Sequence, residues 1–264
     1  MDAVNAPQIG IVVPTLGTRP DYLDQALRSI RSAGNCHIVV VAPEPETIRT
    51  NYSPELIDQI VQDPKSGLAE AINTGMRSLP SSVKYANWLG DDDLLAPQSL
   101  NITSHALENS PETVCVYGGC SYIGPDQEVV WINKSGNYAK WLMRVGPQLI
   151  PQPGLLFTVN VFNEVGGLNS AYKWAFDLDL LLKFSKHGKL LFLPKILSSF
   201  RWHDGSLSVG GRQGSVSEAS KIRRSYLPRA LRGISPMWEF LIRRLILVAG
   251  VVLSRRSRNT ERRL

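Results

Sequence analysis

Cysteine is scarce in this sequence: Cys36, Cys115 and Cys120 are the only three in 264 residues, and no two form a C-x2-C pair. That pattern excludes a disulfide framework and a cysteine-built zinc site, and sparse, odd thiols point to a reducing cytoplasm. Residues 1–8 lack the basic start and apolar stretch of an export signal, and residues 9–13 already read as a buried strand. Neither G-x-G-x-x-G nor G-x4-G-K-[ST] occurs, which disfavours dinucleotide-binding and P-loop chemistry. There is no internal repeat. With 43% apolar and 20% charged residues, the chain is neither disordered nor collagenous despite 21 Gly and 17 Pro. At this length a fold buries roughly 70–75% of the unfolded surface and needs no covalent staple.

What is present is a regular alternation. Short apolar runs at residues 9–13, 38–41 and 85–89 are interleaved with helix-period stretches at 21–33, 67–79 and 97–109. Leu23, Ala26, Leu27 and Ile30 share one face of the first helix, which Gly34 stops; Leu68, Ile72, Met76 and Leu79 share one face of the second. The rhythm predicts the α/β class, with βαβ units building a mainly parallel central sheet flanked by helices. Right-handed crossovers then bring the loops after the strands to one rim, where ligands of open sheets bind. After a strand at 114–117, glycines punctuate shorter elements: a strand at 129–132, a small helix near 138–145 and a firm helix at 176–187. Strands at 190–193 and 196–202 and a Gly/Ser-rich loop at 205–217 complete this part.

The strand at 85–89 runs out into Asp91, Asp92 and Asp93 on the ligand rim. In extended chain Asp91 and Asp93 point one way and Asp92 the other. Carboxylates gathered like this repel unless a cation lies between them, and hard oxygen ligands suit Mg2+ or Mn2+. A solvated acidic turn capping the next helix is the plainer reading of the same residues. Asp177 and Asp179 open the helix at 176–187. Acids there complement the helix dipole, and a carboxylate so placed also suits a general base. His203 ends an apolar strand at the mouth of the Gly/Ser-rich loop, a position from which it reaches a phosphate or a metal. The loop PTLGTR, residues 14–19, joins the first strand to the first helix, whose free N–H groups together with Arg19 suit a nucleotide phosphate.

Taken in order, VVPTLGTRPDYL, GLAEAINTGM, WLGDDDLLAP, QPGLLFTVNVFNEVGGLNSAYKWAFDLDLLLKF and SSFRWHDGSLS cover about residues 9–210. This set resembles the family-2 glycosyltransferases, inverting nucleotide-sugar-dependent enzymes of the GT-A fold. The resemblance implies a Rossmann-like GT-A domain over residues 1–211, with a nucleotide-sugar half at about 9–118 and an acceptor half at about 119–211. It implies that Pro14, Thr15, Leu16, Arg19 and Asp63 hold the nucleoside, with Asp91 and Asp92 also on the donor side. Asp91 and Asp93 stand at the D-x-D positions, and Asp93 and His203 are the implied metal ligands. Asp177 matches the catalytic base, while Asp179 and Trp174 fall on the acceptor side. Two departures stand out. Glu44 takes the place of the family's acidic motif after the second strand and is a nucleoside contact by position only. Phe176 replaces the Glu of the commoner Glu-Asp pair. The implied activity is metal-assisted transfer of a sugar from a nucleoside-diphosphate donor to a carbohydrate or lipid-linked acceptor, in cell-surface polysaccharide or glycolipid synthesis. A sugar nucleotidyltransferase would carry a Gly-rich basic signature after the first strand, which 14–19 does not supply. A non-catalytic GT-A-like binding protein would have no need of the acids at 91, 93 and 177.

Charge is unevenly spread along the chain. Residues 212–264 hold thirteen basic and three acidic side chains, net +10, against sixteen and twenty, net −4, in the preceding 211. This basic segment is expected to form an amphipathic helical tail. Within it MWEFLIRRLILVAGVVL, residues 237–253, places Trp238, Leu241, Leu245, Ala249 and Val252 on one helical face and Glu239 and Arg243 opposite. At about 1.5 Å per residue the stretch falls short of a bilayer core of roughly 30 Å, and charges interrupt it. Two expectations follow for it: an interfacial helix on an anionic membrane surface, at the inner face of the plasma membrane, or a helix docked on protein. Nucleic acid is not an expected partner, because the body is acidic and no stacking or readout motif occurs.

Overall fold

The computed structural model describes residues 7–134, 136–202 and 212–240, together with Ile242, Arg244 and Val248. Its first half is the expected alternation. β1 (Ile9–Pro14), β2 (His37–Ala42), β3 (Gln59–Gln62) and β4 (Tyr85–Trp88) lie side by side in the order β3-β2-β1-β4, all parallel. The helices α1 (Pro20–Ala33), α2 (Pro45–Asn51) and α3 (Leu68–Arg77) connect them. Every residue of β1 is buried, so the strand reads as an apolar run rather than an alternation, as a parallel strand covered on both faces must.

Two cores result. Ile11 and Val13 pack with Leu23, Leu27 and Ile30 of α1 and with Leu100 and Leu107 of α4 (Ser99–Glu108). Val12 points the other way, to Ile72 and Met76 of α3 and to the core around α7 (Phe176–His187). Gly75 is what lets α3 close on the sheet, since a Cβ there would stand 2.4 Å from the Val12 side chain.

Beyond β4 the sheet is mixed. β5 (Leu94–Leu95), β6 (Thr113–Ile123), β7 (Val129–Asn133), β8 (Leu156–Thr158) and β9 (Lys189–Arg201) complete the order β3-β2-β1-β4-β8-β6-β9-β5, with β7 beside β6. β8 runs antiparallel to both of its neighbours, and β6 and β9 are again parallel. The α/β sheet flanked by helices is therefore present, with its all-parallel part confined to the first half. Two short helices, α5 (Ala139–Leu142) and α6 (Val159–Glu164), belong to the second half.

β9 joins into one strand what the sequence divides at 190–193 and 196–202. Tyr117 pairs with Phe192, but Gly119 pairs with Ile196, so Pro194 sits in a bulge where its missing N–H costs no ladder bond. Gly118 admits that bulge: a Cβ on it would lie 2.6 Å from the Lys195 carbonyl oxygen.

Residues 212–217 are expected to close a loop and instead begin α8 (Arg212–Tyr226). This helix is joined to α7, where the Tyr226 hydroxyl donates to Asp179 Oδ1 at 2.9 Å. The first part of the basic segment is thus part of the body. A short helix, α9 (Arg229–Arg232), follows, and residues 235–240 are helical. There Glu239, expected on the polar outer face, turns inward because Arg224 of α8 offers it a countercharge, and the two form an ion pair. Met237 and Phe240 are exposed instead. Leu241, Arg243, Leu245, Ala249 and Val252 lie outside the described residues. Among the described residues no helix is long and apolar enough to cross a membrane.

Candidate active site

The acidic triplet is a turn, not an extension of β4. Asp93 donates its backbone N–H to the Gly90 carbonyl at 3.1 Å, so the chain doubles back within four residues. The alternation expected of extended chain is lost for that reason, and Asp91 and Asp92 point together. Both accept from Arg19, Nη2 to Asp91 Oδ1 and Nη1 to Asp92 Oδ2, each at 2.7 Å. The Thr15 hydroxyl adds a bond to Asp91 Oδ2 at 2.6 Å. The loop after β1 and the turn after β4 are thereby tied, as neighbouring parallel strands allow.

Asp93 is buried apart from this clamp, its Oδ1 accepting the Arg201 backbone N–H at 3.0 Å. Burial first, and then the charges of Asp92 and Asp91, hold its proton affinity well above the usual carboxylate range. Arg201, at the end of β9, is fully buried and braces the turn from behind. Its Nε reaches the Asp92 carbonyl at 2.9 Å, Nη1 the Pro125 carbonyl at 2.6 Å and Nη2 Gln25 Oε1 at 2.8 Å.

Asp177 stands in the first turn of α7. The Leu178 N–H donates to its Oδ1 at 2.8 Å and Gln148 Nε2 to its Oδ2 at 2.9 Å. Burial raises its proton affinity above the ordinary carboxylate value, against the pull of those two hydrogen bonds. The start of α7 is held from α8. Glu218 accepts the backbone N–H groups of Lys173, Trp174 and Ala175 at 3.0, 2.7 and 2.7 Å. Ala175 is the N-cap of α7, one of the donors a helix start leaves without a partner, and Lys173 and Trp174 lead into it; a carboxylate suits all three.

A cavity of about 880 Å³ lies between these parts, within the size of small-molecule sites. Pro14, Thr15, Leu16, Arg19, Asp63, Asp91, Asp92 and Asp93 line it, and so do Trp174 and Asp177. Two of the sequence-predicted residues are not there. Glu44 precedes α2 and is exposed, and Pro43 borders the cavity in its place. Asp179 is buried behind α7, bound to Tyr226 and, through Oδ2, to Lys183 Nζ at 3.0 Å. Two residues along a helix turn through about 200°, so Asp179 cannot share the face of Asp177. His203 lies outside the described residues. Among the described residues, no group of three or more His, Cys, Asp or Glu side chains is arranged to hold a metal.

Gln148 and Arg223 line the cavity and Arg201 and Glu218 hold segments that do, and sequence reasoning singles out none of the four. Arg201 stands in a quoted motif, but nothing local marks it as a brace. Glu218 and Arg223 fall in the segment that charge alone marks as a tail. The cavity reaches α8 through Ser215, Val216, Ala219 and Arg223.

No protein-family model matches the chain. It is 24% identical over 213 residues to an uncharacterised glycosyltransferase of Rickettsia prowazekii (strain Madrid E), an alignment covering 76% of this chain and 65% of that protein. It is also 24% identical over 165 residues to a chondroitin synthase of Pasteurella multocida (strain Pm70), covering 62% of this chain and 17% of that protein. The chain thus spans about 65% of the first curated relatives it matches. Among solved structures it is similar to S. aureus TarS 1–349 in complex with UDP-GlcNAc, with a TM-score of 0.64 at 13% identity over 89% of this chain and 72% of that one. A mannosyltransferase, PcManGT from Pyrobaculum calidifontis in complex with GDP-Man and Mn2+, gives 0.63 at 14% identity over 95% and 74%. The fold is that of the GT-A glycosyltransferases, and the chain's curated homologues are glycosyltransferases.

Proposed function

We propose that this chain is an inverting glycosyltransferase of the family-2 kind it resembles, moving a sugar from a nucleoside-diphosphate donor to an acceptor hydroxyl. One observation carries the reading: the acidic turn and Asp177, distant in sequence, line the same cavity. Thr15, Arg19, Asp63, Asp91 and Asp92 hold the nucleoside and its phosphates, with Pro14 and Leu16 shaping the loop. Asp177, whose proton affinity is already raised, takes the proton of the acceptor hydroxyl as that oxygen attacks the anomeric carbon. Help of this kind is worth about 10²–10⁴ in rate. The attacking oxygen and the leaving diphosphate occupy opposite faces of the sugar, so one displacement inverts the centre, by the geometry that separates inverting from retaining hydrolases. Gln148 and Glu218 act as positioning residues that hold Asp177 in place.

The metal part of the proposal falls on Asp93: it would lose its proton on ligating Mg2+ or Mn2+, a hard cation that would draw the rest of its shell from water and phosphate. Bound there, the ion would stabilise charge on the departing diphosphate as a Lewis acid. His203 enters as a second ligand through the resemblance alone.

The acceptor we propose is a growing polysaccharide or a lipid-linked sugar, met at the inner face of the plasma membrane. Leu231, Ile234, Met237 and Phe240 are exposed next to Arg229, Arg232 and Arg244. Exposed apolar side chains among arginines suit an anionic interface.

A donor screen by calorimetry, with and without Mn2+, tests the reading, with UDP-GlcNAc and GDP-Man, the nucleotide sugars bound in the structural neighbours, as the first probes. A donor should bind more tightly with the ion, and Asp93→Ala should remove that difference. Asp177→Asn should keep donor binding and lose about 10²–10⁴ in turnover. Near-normal turnover in that variant would remove Asp177 from its role, and failure of every donor to bind or release nucleoside diphosphate would end the transferase reading.

A further inference from the structure

The cavity lining carries a cation that the proposed transfer does not use. Ser215, Ala219 and Arg223 recur at four-residue intervals on α8, so they form one stripe of that helix, and all three border the cavity.

Arg223 is 5% exposed. Its Nε donates to the Met143 carbonyl at 3.1 Å, and among the described residues that is its one side-chain hydrogen bond. No described carboxylate lies within ion-pairing distance of it. Glu218 is spent on the chain leading into α7, and Glu239, whose charge does reach Arg223, makes its ion pair with Arg224. Burial lowers the proton affinity of Arg223 to about 10, the mark of a charge with too little compensation, though it stays protonated at neutral pH. A buried cation with no carboxylate in direct contact is costly, and a planar guanidinium is shaped to receive a carboxylate or phosphate on two parallel N–H groups.

Position decides which substrate supplies that anion. The proposed reading already places Arg19, held by Asp91 and Asp92, with the donor, whereas Arg223 is carried by α8. Arg223 belongs to the helix that grips the chain two residues before Asp177, five residues or about 7.5 Å along its axis from the gripping Glu218. It does not pair with Asp177, although the two border the same space.

We infer that Arg223 is a specificity residue that binds an anionic group, carboxylate or phosphate, on the acceptor saccharide beside the hydroxyl presented to Asp177. This rests on the transferase reading and deepens it: the acceptor is an acidic or phosphorylated glycan rather than a neutral one.

The test uses the full chain with the donor found by calorimetry and three acceptors: p-nitrophenyl glucoside, its glucuronide and its 6-phosphate. The glucuronide, the 6-phosphate or both should exceed the neutral glucoside about tenfold or more in kcat/KM, and which arm responds tells carboxylate from phosphate. Arg223→Gln should level that preference through a loss of about 10- to 100-fold on the charged acceptor. Arg223→Lys, which keeps the charge and loses the fork, should fall between. The wild-type ratio decides even if the Gln variant does not fold. Equal rates on charged and neutral acceptors, with nucleoside diphosphate released, overturn the role of Arg223 and leave the transferase standing. No release with any acceptor overturns both.

Discussion

At the scale of single residues, Asp177 shows how a site is made from opposed terms. Burial favours its neutral form, while the hydrogen bonds from Gln148 and Leu178 favour the charged one, and burial wins. The charged form is the one that accepts a proton, so activity should fall on the acid side at a pH above that of an ordinary aspartate, whose value is about 3.9. Gln148→Leu removes a bond to the charged form, and its acid limb in a pH profile of kcat/KM should move further up; a limb that stays put would separate Asp177 from the rate. The same shift has a consequence for stability. A carboxyl whose folded value is raised contributes stability below the ordinary range and loses it as pH rises through the folded value. Asp177→Asn should therefore melt higher than wild type at pH 8, with the gap closing toward pH 4, while turnover is lost. Gain in stability against loss of activity is the usual sign of a group kept for its chemistry.

At the scale of elements, α8 does more than its sequence advertises. Its Glu218 takes three N–H groups at the start of α7, and its negative charge also contributes to holding the proton on Asp177. Glu218→Ala should cost about 1.5–3 kcal/mol, the range for hydrogen bonds to a charged group, and reduce kcat more than donor affinity. Its acid limb should move down, opposite to Gln148→Leu, because a neighbouring negative charge has gone; Glu218→Gln should share that shift while recovering part of the melting temperature. A merely structural cap would lower stability and leave the pH profile alone. The helix escapes sequence reading for a physical reason. Gly214, Ser215, Ser217 and Ser220 are weak helix formers, and residues 205–217 look like a loop when tertiary contacts are unseen. By contrast α1, α3 and α7 announce themselves, because each carries several apolar residues at helical spacing that the core demands. β5 and β8, of two and three residues, are too short to hold any period, and the Pro194 bulge disguises β9 as two strands.

At the scale of the whole molecule, two parts of the cavity lining differ in how they are built, and that difference decides what is legible in the sequence. The lining from the loop after β1 and the turn after β4 follows from strand order: loops after adjacent parallel strands must meet, so Thr15, Arg19 and the acidic turn can be read from their places in the chain. The lining from α8 depends on where that helix lies against α7, a contact fixed by Tyr226, Asp179 and Glu218 across more than forty residues. No local pattern encodes it. The basic segment thus divides into a part that completes the cavity and a part that presents Met237 and Phe240 outward. Two truncations should separate those duties. A chain stopped after Pro236 keeps α8 and α9 while removing the exposed apolar pair. It should retain transfer to a short soluble acceptor and lose sedimentation with vesicles containing anionic lipid. A chain stopped at residue 211 lacks Glu218 and Arg223, uncovers the α7 face that Ala219 and Ile222 bury, and should lose transfer altogether. If the chain stopped after Pro236 still sediments with vesicles as the full chain does, the outward apolar pair is not the membrane contact, and Arg229 and Arg232 of α9, which that chain keeps, would have to carry it with Leu231 and Ile234.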